Sequence, residues 1–209
     1  LSTVCSNVAI LVLVKSIFSY IGVSPSMSWA AFAVIALAAA TALWGAMESL
    51  VQKEPKKILA YSSMENMALV VLCLSLGMVY IGESPVLAKL ILIAAVLHTM
   101  NHAVFKSLML MTIDTVEDCT GETNIGKMGG LSKTLPILSM VAIVGVISMA
   151  AIPPTNGFVS EWLMIQSIMG ADLESTGMSI LMPLALAAVG ICGMMMAASY
   201  ARLYAFVFL

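Results

Sequence analysis

The strongest constraint on this chain is a succession of apolar stretches, each long enough to cross a lipid bilayer. A spanning helix needs roughly 20 such residues. Lipid offers no hydrogen bonds, so a spanning backbone must satisfy its own polar groups, and runs of this length do so as helices. Candidate spans cover residues 2–22, 29–50, 58–81, 86–113, 135–169 and 178–209, about six in all. Composition agrees: charged residues make up 10% of the chain, against about 25% in soluble domains. Too few polar groups remain to cover a soluble surface. The expected fold is an all-α polytopic membrane protein.

Several function classes drop out. A net charge of −2 supplies no basic stripe for nucleic acid. Cys5, Cys73, Cys119 and Cys192 form no CxxC pair, and three of them lie in apolar segments. They read as small hydrophobes rather than disulfide, zinc or iron–sulfur ligands. No phosphate-binding glycine loop or nucleophile elbow is present, so no catalytic residue, metal or cofactor is expected. Leu1 and Leu209 both fall inside apolar runs. Both ends read as cut, and residues 1–209 read as one transmembrane domain of a longer chain. Lys53, Lys56 and Lys57 follow the second span, and Lys127 and Lys133 lie in the polar loop 114–133 after the fourth. Parity puts both loops on one side, cytoplasmic by the positive-inside rule, in the cell's inner (plasma) membrane. The loop after the fifth segment has Asp172 and Glu174 and no basic residue.

The fifth segment is too long for one span, about 50 Å as a single helix against a core of about 30 Å. Its middle reads Ile152-Pro153-Pro154-Thr155-Asn156-Gly157. Two prolines remove two backbone donors and clash with the preceding turn. The segment therefore reads as a broken helix, two halves with an unwound centre lining a cavity or buried in protein. The alternative is two short elements joined outside the membrane.

Ionisable groups inside apolar spans are costly, about 2.5–3.5 kcal/mol at a helix centre, and usually carry function. His98, His102 and Lys106 stand four apart in the fourth span, with Asn101 beside them. Successive positions drift by about 40°, so the three form one stripe about 12 Å long. Imidazoles titrate near neutrality and a desolvated lysine can lose its charge, so the stripe reads as a proton relay. A metal site at His98 and His102 is disfavoured by the cation at Lys106 and lacks a third ligand. Plain hydrogen bonding to neighbouring helices is the bland alternative for either histidine. Glu65 is either the solvated end of the third span or a partner for an intramembrane cation. Glu161 lies just past the break, where a half-helix N-terminus favours a carboxylate. Glu48 reads as interfacial, and Lys15 and Lys89 as snorkelling.

Four motifs then carry a family resemblance. Lys56-Lys57-Ile58-Leu59-Ala60-Tyr61-Ser62-Ser63 resembles the DLKRLLAYSS segment of the antiporter-like subunits of respiratory complex I and their relatives. His98, His102, Ala103, Phe105 and Lys106 match that family's HxxxHAxFK helix. Gly129-Gly130-Leu131 with Pro136 resembles its GGLxxxxP loop, and Pro153, Pro154, Asn156, Gly157, Ser160 and Glu161 its broken helix. The family also includes the large subunits of Mrp-type cation/proton antiporters and the membrane subunits of energy-converting hydrogenases. Ser63-Met64-Glu65-Asn66 and Glu161 look most like the hydrogenase-4 and formate hydrogenlyase branch.

The resemblance implies two inverted-topology bundles of five helices, of which this fragment is the end of the first and all of the second. It implies a hydrophilic axis through His98, His102 and Lys106, with Lys106 as the swinging charge or its neighbour and Glu161 as the terminal residue of a half-channel. It implies H⁺ or Na⁺ as the ion moved. The implied partners are other membrane subunits and a peripheral redox arm, either a nickel–iron hydrogenase or an NADH dehydrogenase module. The rival expectation is a cation/proton antiporter with no redox partner. One departure stands out: the family's usual lysine in the first span falls on Asn7, which cannot carry a proton, and Lys15 is two turns away.

Overall fold

The computed structural model describes residues 2–17, 28–81, 84–170 and 176–209. The described part is all helix and loop: α1 (Ser2–Lys15), α2 (Ser28–Val51), α3 (Pro55–Tyr80), α4 (Pro85–Thr120), α5 (Leu131–Thr134), α6 (Pro136–Met149), α7 (Asn156–Met169) and α8 (Thr176–Phe208). Four of these, α2, α3, α4 and α8, are long and apolar enough to cross a membrane. The expected first span is described only as far as residue 17, and Asp172 and Glu174 lie outside the described residues.

α3 is the centre of the bundle. Proline at its first position suits a helix start, because the missing N–H has no partner there anyway. From Ala68 to Gly77 nearly every side chain is buried. Small buried residues, Ala31, Ala38, Ala42, Gly45 and Ala46, mark the inner side of α2, which packs against α3 and α8. Small residues allow the close backbone approach that association in lipid depends on. The tightest point is Gly45, where a Cβ would come within 3.0 Å of the Glu65 amide nitrogen and the Tyr61 carbonyl oxygen. Outward-facing Trp29, Leu37, Trp44 and Met47 leave the other side of α2 apolar and exposed, as a lipid-facing surface should be.

α4 corrects one expectation. The polar loop does not begin at Asp114, because the helix continues to Thr120 and ends on Gly121 in the left-handed conformation (φ 69°), whose N–H bonds the Glu117 carbonyl. Two turns rich in Asp and Glu suit a helix once it has left the apolar layer, and Lys56 fastens them with salt bridges of 2.7 Å to both Asp114 and Glu117. The remaining connection contains one 3-10 turn, Ile125–Lys127. The Ile125 amide bonds the Lys53 carbonyl at 2.9 Å. The two basic loops therefore share one end of the bundle, as parity of the spans requires.

The fifth segment is broken where its prolines stand. α6 ends at Met149 and α7 starts at Asn156, with Ala151 at φ 49° and a cis Pro153–Pro154 bond between them. Contacts with α4 establish how the halves lie. His98 of α4 meets Ser160, Asn101 meets Asn156, and Leu108 and Met109 lie against Gly145. As α4 advances from His98 to Met109, about 16 Å, the facing chain runs back from 160 through 156 to 145. The halves are thus in line along one neighbour, a broken helix rather than two unrelated short elements. Gly157 is required at the joint: a Cβ there would overlap the Ser148 carbonyl oxygen.

Candidate functional site

The fourth-span stripe faces inward. His98, His102 and Lys106 are all buried, and Lys106 is 0% exposed although it carries an ammonium group. Glu65, at 3% exposure, is buried too. That decides between its two readings: it is not the solvated end of α3 but a carboxyl group inside the bundle, hydrogen-bonded to Asn66.

Serine and asparagine side chains join these groups. Lys106 Nζ donates to Ser62 Oγ, and the Ser62 hydroxyl donates to the Leu59 carbonyl at 3.0 Å. Asn66 Nδ2 donates to the Ser62 carbonyl at 2.8 Å and to Glu65 Oε2. Its Oδ1 lies 3.0 Å from His98 Nε2. On the other side of the ring, His98 Nδ1 is 3.0 Å from Ser160 Oγ on α7. Ser160 also reaches the Gly157 carbonyl at 3.0 Å and the Asn156 carbonyl at 3.2 Å. Asn101 Nδ2 donates to the same Asn156 carbonyl at 2.8 Å, stitching α4 to the first residue of α7. The Tyr200 hydroxyl of α8 is buried beside Ser62 and Asn66 without reaching bonding geometry to either.

The pattern fixes a tautomer. Because the Asn66 amide nitrogen is committed to two acceptors, its oxygen faces His98 and can only accept. His98 Nε2 therefore carries hydrogen, and Nδ1 is the nitrogen that gains or loses a proton. With neutral His98, the single Ser160 hydroxyl hydrogen is donated to Nδ1. With protonated His98, Nδ1–H donates to Ser160 Oγ and the hydroxyl hydrogen turns to the Gly157 or Asn156 carbonyl. The direction of the hydrogen bond at Nδ1 is thereby linked to the Asn156 and Gly157 carbonyls.

Not every expected residue joins this cluster. His102 is buried edge-on to Phe105, ring centroids 5.5 Å apart, and neither ring nitrogen has a partner among the described residues. Asn7 of α1 borders a cavity of about 140 Å³ with Thr99 and Ala103 of α4, and its Oδ1 is buried and unbonded among the described residues. Lys15 is exposed at the end of α1, as is Lys89 near the start of α4. Glu48 is partly buried and accepts from Gln52 at 3.0 Å. Glu161 is partly buried in the second turn of α7. Pro153, Pro154, Asn156 and Gly157 form the joint itself. The sequence reading missed the connecting residues Ser62, Asn66 and Ser160. The 62–65–66 spacing, which puts both Glu65 and Asn66 within one turn of Ser62, was the available signal. Among the described residues no group of three metal-ligating side chains occurs.

Comparison with known proteins places this arrangement. The chain is 34% identical over 185 residues to formate hydrogenlyase subunit 3 of Escherichia coli (strain K12), covering 87% of this chain and 30% of that protein. It is 29% identical over 182 residues to hydrogenase-4 component B of the same organism, 86% of this chain and 27% of that one. Against a Na(+)/H(+) antiporter subunit from Alkalihalophilus pseudofirmus (strain ATCC BAA-2126 / JCM 17055 / OF4), identity is 37% over 135 residues, 63% of this chain and 17% of that protein. The chain thus spans less than a third of the length of these relatives. In fold it superposes on a chain of the Mrp complex from Dietzia sp. DQ12-45-1b with a TM-score of 0.79 at 22% identity, over 97% of this chain and 34% of that one. The family model described as NADH:quinone oxidoreductase/Mrp antiporter, TM, matches residues 1–182. This multi-pass membrane chain belongs to the NADH:quinone oxidoreductase/Mrp antiporter transmembrane family.

Proposed function

We propose that this chain forms a proton path of an ion-translocating membrane subunit in a redox-driven complex. The observation that carries the proposal is the buried set Lys106, Glu65, His98 and Ser160, joined through Ser62 and Asn66 and ending on the broken helix. A structural anchor has no reason to hold two carboxylates, an ammonium and two imidazoles where lipid surrounds the bundle. Protonatable groups in such a place act on one another strongly. Two unit charges about 6 Å apart interact by about 3 kcal/mol at an effective dielectric near 20. A change of charge at one member is therefore enough to load or empty the next.

In this reading Lys106 exchanges its proton with the neighbourhood of Glu65. His98 takes up a proton on Nδ1, and Ser160 passes the change to the joint beside Glu161. Charge movement driven by electron transfer in a partner supplies the energy. Similarity to the hydrogenase relatives favours a nickel–iron hydrogenase arm, with an NADH dehydrogenase module as the other redox partner. The second reading is a cation/proton antiporter without a redox partner, favoured by the 37% identity to a protein of that kind.

Two measurements test these readings. The full-length protein is captured from detergent-solubilised native membrane and its partners identified by mass spectrometry. Hydrogenase subunits are the expected result; small antiporter subunits with no iron–sulfur protein overturn the redox link. Lys106→Ala in the complete complex is expected to abolish proton translocation, and an unchanged ratio of protons moved per electron pair refutes the path.

A further inference from the structure

At the basic end of the bundle lies a pocket of about 310 Å³ bordered by Lys53, Asn124, Lys127, Arg202 and Phe206. Three cations and no carboxylate line it. Neighbouring basic groups are already closely paired: Lys56 with Asp114 and Glu117, and Lys57 with Glu54, each at 2.7 Å. The pocket's own cations are not. Lys53 makes no ion pair among the described residues, and Lys127 reaches only Glu122, at 3.9 Å.

Arg202 is fixed in place. One of its terminal nitrogens, Nη2, donates to the Gln52 carbonyl at 2.5 Å and the Ser49 carbonyl at 3.3 Å. Its Nε is buried and has no acceptor among the described residues. The wall opposite is equally rigid, because the Ile125 amide bonds the Lys53 carbonyl and the Asn124 side chain accepts from the Gly126 amide at 2.9 Å. A preformed pocket lined by a held guanidinium and two ammonium groups, one unpaired among the described residues and the other reaching a carboxylate only at 3.9 Å, suits an oxyanion with several acceptor oxygens.

The surroundings select the source of that anion. The pocket sits where α2 ends and α8 is two turns from its end; exposed Phe206 borders it, and exposed Val51, next to the Gln52 whose carbonyl Arg202 holds, shares a stripe of α2 with exposed Met47 and Trp44. A free phosphate makes no use of such a flank, whereas a phospholipid lays its acyl chains there. We propose that this pocket binds the headgroup phosphate of an anionic phospholipid.

The test is native mass spectrometry of the intact complex, titrated with phosphatidylglycerol, with phosphatidylcholine, and with inorganic phosphate as competitor. Phosphatidylglycerol is expected to bind in preference to phosphatidylcholine. The double variant Lys53→Gln/Lys127→Gln is expected to bind it about 25-fold more weakly, about fivefold for each cation near a membrane surface. Lys53→Arg/Lys127→Arg is expected to keep the affinity. An unchanged affinity in the glutamine pair, or no preference between the two lipids, overturns the proposal. Displacement of phosphatidylglycerol by inorganic phosphate at equal concentration overturns the lipid as the source. Should the glutamine pair fail to assemble, the preference measured on the unaltered complex decides the matter alone.

Discussion

Asn66→Leu is the substitution that most directly probes how the buried groups are held. The side chains are close in volume, so the packing of α3 against α4 survives, but three polar contacts go: those to the Ser62 carbonyl, Glu65 Oε2 and His98 Nε2. Two partners are left behind in a dry place. An unsatisfied neutral donor such as His98 Nε2–H costs about 1–3 kcal/mol, and a carboxylate stripped of one hydrogen bond loses about 1.5–3 kcal/mol. The sum, roughly 3–6 kcal/mol, falls on the arrangement that keeps Glu65 and His98 in register and the imidazole in one tautomer. If only half of it appears in the barrier to proton transfer, the rate falls by about 10- to 150-fold. The assay is proton uptake into proteoliposomes holding the complete complex, read from a trapped pH-sensitive dye while the electron donor is supplied. Size-exclusion chromatography reports assembly separately. Asn66→Asp, which keeps an acceptor for His98, is expected to retain more transfer than Asn66→Leu. An Asn66→Leu complex that assembles and moves protons at the unaltered rate refutes the reasoning.

Three further outcomes are expected. Ser160→Ala removes the rotor between His98 Nδ1 and the joint at a stability cost within about 1 kcal/mol, so assembly persists while translocation slows; translocation at full rate shows that the hydroxyl is only packing. His102→Leu removes two unpartnered ring nitrogens. It is expected to leave assembly equal or improved and proton flux unchanged, whereas lowered flux would bring His102 into the path. Gly157→Ala forces a methyl group onto the Ser148 carbonyl oxygen. Overpacking of this kind costs about 1–3 kcal/mol, so less complex survives a fixed heat step; equal survival would show that the joint relaxes freely.

Much of the fold is readable one segment at a time. Length and apolarity locate the spans, because lipid demands self-satisfied helices and hydropathy is a local property. The four-residue spacing of His98, His102 and Lys106 puts them on one face, and all three are buried. Pro153 and Pro154 mark the break for an equally local reason, since two adjacent prolines remove two N–H donors and clash with the preceding turn. The end of α4 was misplaced because a polar run reads as loop, and the salt bridges that hold Asp114 and Glu117 in a helix come from Lys56, more than fifty residues earlier.

The sequence by itself therefore determined the membrane class, the helical spans, the break and the inward stripe of ionisable groups. Only the tertiary structure decided which of those groups act together. Whether Glu65 is solvated depends on α2 closing over it at Gly45. The His98 tautomer depends on an asparagine 32 positions away and a serine 62 positions away. His102, one turn along the same stripe, faces Phe105 and has no polar partner among the described residues. Helical periodicity orders residues around one axis, but a hydrogen bond between helices depends on the rotation and depth of both, and a chain written in one dimension does not carry that.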